Sequence, residues 1–116
     1  MRILIILNEP PYGNERSYNG LRLAGSLVRQ NDTQVKVFLI GDAAGCAKAG
    51  QKVPQGFYNV QLMLAAVQRH GGTIGVCGSC LDARGIGDQE LIEGIRRSSM
   101  EELTAWTLEA DKTISF

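Results

Sequence analysis

Apolar residues in this chain fall into short runs separated by amphipathic stretches. Ile3-Leu4-Ile5-Ile6-Leu7 shows no alternation, so both of its faces are expected to be buried, as in a central strand of a parallel sheet covered by helices. Val35 to Ile40 reads the same way and stops at Gly41-Asp42. Thr73 to Cys77 predicts a third strand, Gly94 to Arg97 a further one with a weaker pattern, and Thr113 to Phe116 a short last one. Helical spacing fills the gaps. Ser17 is placed to cap a helix with Leu21, Ala24, Leu27 and Val28 on one face. Tyr58 to Arg69 carries Leu62, Ala65 and Ala66 at helical spacing and meets a stop at Gly71-Gly72. Ser99 with Glu102 forms a capping-box signature ahead of Leu103, Trp106 and Ala110. The Ala/Gly-rich segment from Asp42 to Gly50 suggests one more closely packed helical turn.

Strands alternating with helices predict a single α/β domain over residues 1–116. The expected architecture is a three-layer α/β/α sandwich with a mostly parallel sheet of about five strands and right-handed crossovers. Ligands in such sheets gather beyond the carboxyl ends of strands. That directs attention to Asn8–Glu15 after the first strand and Cys77–Gly87 after the third.

Composition narrows the function. Twelve basic and twelve acidic residues cancel, which argues against a polybasic binder of nucleic acid or anionic membrane and mildly favours self-association. No apolar run approaches the length of a membrane span, and Ile3–Leu7 is too short for the core of a signal peptide. Three cysteines are an odd, small number for a disulfide scaffold, so reduced thiols and a cytoplasmic location are expected. Neither a dinucleotide fingerprint nor a Walker-type loop is present, so nucleotide binding is disfavoured and no cofactor is predicted.

Cys77-Gly78-Ser79-Cys80 is the sharpest chemical signal. A thiolate leaving a strand where a helix begins is stabilised by free amide groups, which lowers its pKa and makes it a better nucleophile. A thiol three residues on is placed to attack a disulfide or persulfide on the first. Four readings fit: two small buried hydrophobes, a thioredoxin-like dithiol, a zinc site completed by Cys46 and His70, or a sulfur-carrying cysteine. The zinc reading lacks a second close pair of ligands, and no metal is predicted. Cys46, in its Ala/Gly setting, reads as packing, and Trp106 as core or subunit interface.

Around the cysteines, Arg84 can favour an anionic sulfur or simply pair with Asp82 or Asp88. Gly78 and Ser79 are expected to line a pocket, with Tyr12 and Gly13 of the first loop as a second wall. Gly85 and Gly87 suit backbone turns, and Gly50 to Tyr58 suits a flap over the site.

Ile74-Gly75-Val76-Cys77 followed by Arg84-Gly85-Ile86 resembles the cysteine segment of the DsrE/DsrF/TusD-like sulfur-relay family, with Arg-Gly seven and eight residues beyond a strand-ending cysteine. Pro11-Tyr12-Gly13, the Ser17–Val28 helix and the closing Ala110–Phe116 also match, so the resemblance spans most of the chain. It implies a small α/β/α subunit that forms trimers or hexamers. It also implies a cysteine that takes sulfane sulfur from a donor protein as a persulfide and passes it to an acceptor. By position that cysteine is Cys77, with Cys80 as assisting or resolving thiol. Two alternatives remain: a dithiol oxidoreductase cycling a Cys77–Cys80 disulfide, and an oligomeric interaction module with structural or metal-binding cysteines.

Overall fold

The computed structural model describes all 116 residues. Five strands, β1 (Arg2–Leu7), β2 (Gln34–Leu39), β3 (Thr73–Cys77), β4 (Arg96–Ser98) and β5 (Lys112–Ser115), form one sheet in the order β4-β3-β2-β1-β5. Every neighbouring pair is parallel; Ile5 stands between Val37 and Ile114, and Cys77 stands opposite Ser98. The helices are α1 (Arg16–Leu27), α2 (Val60–Arg69), α3 (Gly78–Ala83) and α4 (Met100–Glu109), with a 3-10 helix at Gly41–Ala47. The single-domain α/β sandwich expected from the alternation is the fold observed.

The two sheet faces are covered unequally. Ile3, Ile5, Leu7, Val35, Val37, Leu39, Ile74 and Val76 point to one side, where α1, α2, α3 and the 3-10 helix supply Leu21, Ala24, Val60, Leu64, Val67, Leu81, Ala43 and Ala44. On the other side Leu4 and Phe38 are buried with only Leu103 and Trp106 of α4. The unalternating runs are therefore explained, since consecutive residues are buried on opposite faces.

Several local readings are corrected. Ser17 does not cap α1; it lies fully buried inside the helix and donates its hydroxyl to the Glu9 carbonyl at 2.7 Å. Asn14 Oδ1 accepts the Arg16 N–H instead, at 3.0 Å. The inward stripe of α2 is Val60, Leu64 and Val67, while Leu62 is 66% exposed. The helix itself starts at Val60, beyond Tyr58, with Asn59 as its N-cap accepting the Leu62 N–H. Ser99 caps α4 as expected, taking the Glu102 N–H at 3.2 Å. The reciprocal half of the box is missing, because the Glu102 carboxylate accepts from the Ser98 hydroxyl and Arg96. No helix is long and apolar enough to cross a membrane.

Candidate functional site: the cysteine pair at the end of β3

Strand alternation decides where the first cysteine faces. Ile74 and Val76 enter the larger core, so Gly75 and Cys77 fall on the α4 side. Gly75 suits a close approach there: a β-carbon on it would crowd the Trp106 ring at 3.1 Å and the Ser98 side chain at 3.2 Å. Cys77 ends β3 and is the N-cap of α3. Its sulfur accepts the Cys80 N–H at 3.3 Å and lies 3.3 Å from the Ser79 hydroxyl. Cys80, one helical turn on, packs toward the larger core, and its sulfur accepts the Gly41 N–H at 3.2 Å. Each sulfur is thus met by one backbone amide, an arrangement that favours thiolate over thiol. The structure pairs the two as a Cys77–Cys80 disulfide with Cα atoms 5.2 Å apart.

Beside Cys77 a cleft of about 230 Å³ opens to the surface. Phe38 lies at its base, Gly78 and Ser79 form one wall, and Ser98, Ser99 and Met100 form the other. The surroundings are hydroxyls, a thioether and an aromatic ring, with no charged side chain among them. Cys77, not Cys80, is the sulfur on this cleft.

Gly78 and Ser79 therefore stand where the sequence placed them. Tyr12 and Gly13 do not: they line a separate hollow of about 410 Å³ with Glu15, Lys52, Pro54, Phe57 and Tyr58. The Tyr12 ring stacks on Tyr58 at 5.4 Å and its hydroxyl accepts the Val60 N–H at 3.1 Å, which ties the first loop to the start of α2. The segment read as a flap, Gly50 to Tyr58, contributes to that hollow and not to the cysteine cleft.

Arg84 reaches neither sulfur. Its guanidinium donates to the Cys80 carbonyl at 3.1 Å and to Asp42 at 2.7 Å, so the ion pair with Asp82 or Asp88 is also corrected. Those two carboxylates belong to Arg97, which the sequence reading missed. Arg97 donates to Asp82 at 3.0 Å, to Asp88 at 2.9 Å and to the Gly78 carbonyl at 2.9 Å, and so fastens the start of α3 to β4. The bond to Asp82, then that to Asp88, raises its pKa further. A β-carbon on Gly78 would press on the Arg97 side chain and the Ser98 carbonyl, which explains the glycine at that position.

Cys46 and His70 do not join the pair. His70 sits at the end of α2 with Nδ1 against the Ala66 carbonyl at 2.9 Å, and no three His, Cys, Asp or Glu side chains converge to hold a metal ion. Cys46 is buried beneath the Glu9 carbonyl, and burial pushes its thiol up from 9.0 to about 12. Its proton is bound more tightly in the folded chain than in the unfolded one. Stability should therefore be unaffected by this thiol below about pH 9 and decline as the pH rises from there toward 12. Alkaline denaturant titrations should show a steeper decline in wild type than in Cys46→Ala, the remainder in the variant coming from other groups such as Tyr58, whose pKa is also raised.

The sequence pattern of the DsrE/DsrF-like family matches residues 1–116, the whole length. This chain belongs to the DsrE/DsrF-like family. It is 39% identical to protein YchN of Escherichia coli K12 over 116 residues, covering 99% of this chain and 98% of that one. It is 33% identical to MJ0989 of Methanocaldococcus jannaschii, with both chains covered completely. The crystal structure of E. coli YchN superposes with a TM-score of 0.88 at 37% identity, over 99% of this chain and 98% of that one. MTH1491 of Methanobacterium thermoautotrophicum shares the fold at 13% identity, with a TM-score of 0.79 over 99% and 98% of the two chains. The DsrE-like family is linked to sulfur relay, and the five parallel strands with their helices are the YchN fold.

Proposed function

We propose that this DsrE-like chain carries sulfane sulfur on Cys77. The observation that carries the reading is a half-buried sulfur at the carboxyl end of β3, met by the Cys80 amide, open to the cleft, and within bonding reach of the Cys80 sulfur. The Cys77 thiolate attacks the outer sulfur of a donor persulfide R–S–SH; the S–S bond breaks, R–S⁻ leaves, and Cys77–S–SH forms with no net oxidation. An acceptor thiolate then attacks that outer sulfur and releases the Cys77 thiolate. With no acceptor docked, the Cys80 thiolate attacks the inner sulfur, closing the Cys77–Cys80 disulfide and expelling hydrosulfide; a thiol reductant must then restore the pair.

Sulfur donor and acceptor proteins are the partners this chemistry needs, and the reducing cytoplasm is the compartment that suits it. Neither nucleic acid nor membrane is proposed as a direct partner. A homotrimer or homohexamer is the proposed assembly, supported by family membership and by exposed Phe57, Leu62, Met100 and Leu108. Light scattering should give a multiple of 12.6 kDa; a 12.6 kDa particle at all concentrations would remove that part.

Incubating reduced Cys80→Ser protein, in which no second thiol can expel the sulfur, with a low-molecular-weight persulfide and weighing it tests the carrier role. One adduct of about 32 Da, the mass of a sulfur atom, is expected per chain. Absence of any adduct sinks the proposal. The pairing of Cys77 with Cys80 also supports a second reading, a dithiol oxidoreductase; a reduction potential within the cytosolic range and turnover by a thioredoxin system, without a sulfur adduct, would favour it.

A further inference from the structure

Arg84 is bound at both ends of its guanidinium. One nitrogen donates to the Cys80 carbonyl in α3, at 3.1 Å. Another donates at 2.7 Å to Asp42, in the first turn of the 3-10 helix. Gly41, next to Asp42, is the residue whose N–H meets Cys80 Sγ at 3.2 Å. Gly41 has φ +60, so the chain enters the 3-10 helix through a turn that favours glycine, and this turn aims the amide at the sulfur. We infer that Arg84 and Asp42 act as a positioning clip, holding the Gly41 amide on Cys80 Sγ, and that the guanidinium charge itself does not act on the sulfur.

Three observations favour the clip over direct charge. No hydrogen bond joins Arg84 to either sulfur; its partners are a carbonyl and a carboxylate. Its charge is matched by Asp42, and both side chains are substantially exposed, so the field of the pair is screened. The Gly41 amide, by contrast, is in direct hydrogen-bond contact with the sulfur. The other charged groups around the pair are Asp82 on α3, Asp88 beyond it and Arg97 on β4, and these three satisfy one another. Cys77 takes its amide from within its own helical turn, whereas Cys80 depends on a second element. Buried Ala43, Ala44 and Leu81 pack that element on α3, and the clip adds the polar tie next to Gly41, so the placing of the amide on the second thiol rests on it.

The inference rests on the cysteine pair being the reactive centre proposed above, but its test requires no sulfur transfer, so the two fail separately. Reduced Cys77→Ser protein leaves Cys80 as the reachable thiol, with Cys46 silent because its thiol is held near 12. Ultraviolet absorbance of the thiolate against pH then reads the acidity of Cys80. Adding Asp42→Ala removes a negative charge and frees the Arg84 cation, and both effects favour the thiolate. If Arg84 acts by charge, the Cys80 pKa falls. If the clip acts, the Gly41 amide is released and the pKa rises by roughly half a unit or more, the scale of one lost hydrogen bond to the ionised form. Asp42→Asn keeps an acceptor for Arg84 without the charge and should restore most of the shift. A rise in Asp42→Ala that Asp42→Asn reverses supports the clip; a fall, no change, or an equal rise in both variants overturns it.

Discussion

Cys77→Ser should abolish sulfur loading completely, while Cys80→Ser should still load and hold its sulfur longer. The asymmetry follows from where the two sulfurs face. Cys77 lies on the α4 side of the sheet and opens on the cleft walled by Ser79, Ser98 and Met100. Cys80 packs toward the larger core beneath the Gly41 amide. A donor persulfide entering the cleft meets Cys77 first. A serine hydroxyl is not ionised near neutral pH, so the substitution removes the nucleophile while keeping the shape of the turn. In Cys80→Ser the thiol that would expel hydrosulfide is gone, and the adduct should persist until an external thiolate arrives. Mass spectra over a time course after removal of the donor separate the two variants. Loading that survives in Cys77→Ser and disappears in Cys80→Ser would assign carriage to Cys80. The Cys80→Ser protein also offers a route to the acceptor, since a mixed disulfide trapped on Cys77 cannot be resolved internally.

The strands were legible in the sequence because burial on two faces erases alternation, and Ile3–Leu7 and Val35–Ile40 leave that mark unambiguously. Cys77 and Cys80 were legible for a different reason, since two thiols three residues apart at a strand end have few structural substitutes. Contacts between elements distant in sequence were not. Arg97 reads as one of two arginines on a short strand; its grip on Gly78, Asp82 and Asp88 exists only once β4 pairs with β3. Asp42 and Arg84 are 42 residues apart, whereas Asp82 and Asp88 are the carboxylates near Arg84 in sequence. The loop of Tyr12 follows a strand as the cysteine segment does, yet β2 stands between β1 and β3, and the ring turns to stack on Tyr58 just ahead of α2. Leu62 illustrates the limit of a helical stripe: Leu62-Ala65-Ala66 and Val60-Leu64-Val67 both have helical spacing, and only the contact with the sheet selects the second. Ser98, Ser99 and Met100, which form half of the cleft, carried no chemical signature beyond a helix cap.

Trp106→Ala should be among the most damaging core truncations, at about 3–5 kcal/mol by the usual cost of emptying a buried aromatic site. With a urea dependence of roughly 1–3 kcal/mol per molar for a small domain, that moves the unfolding midpoint down by on the order of 2 M. The reason is the thinness of the layer. Only Leu4, Phe38, Leu103 and Trp106 are buried on the α4 side, whereas 21 residues form the cluster on the other. Trp106 meets Phe38 edge to face, with centroids 5.9 Å apart, and Lys36 stands over its outer side with the ammonium 5.1 Å from the ring centre. Gly75 supplies no side chain to fill the space the indole would leave. A small layer pinned by strands on one side cannot collapse readily around such a void, so little of the loss is recovered. Trp106→Phe keeps an aromatic body against Phe38 and should cost well under half as much. Because Phe38 is also the base of the cysteine cleft, the alanine variant should load sulfur more slowly even at urea concentrations where it remains folded. A midpoint within error of wild type would show instead that α4 lies on the sheet without securing it. The floor beneath Cys77 would then have to be held by β2 and β3 alone.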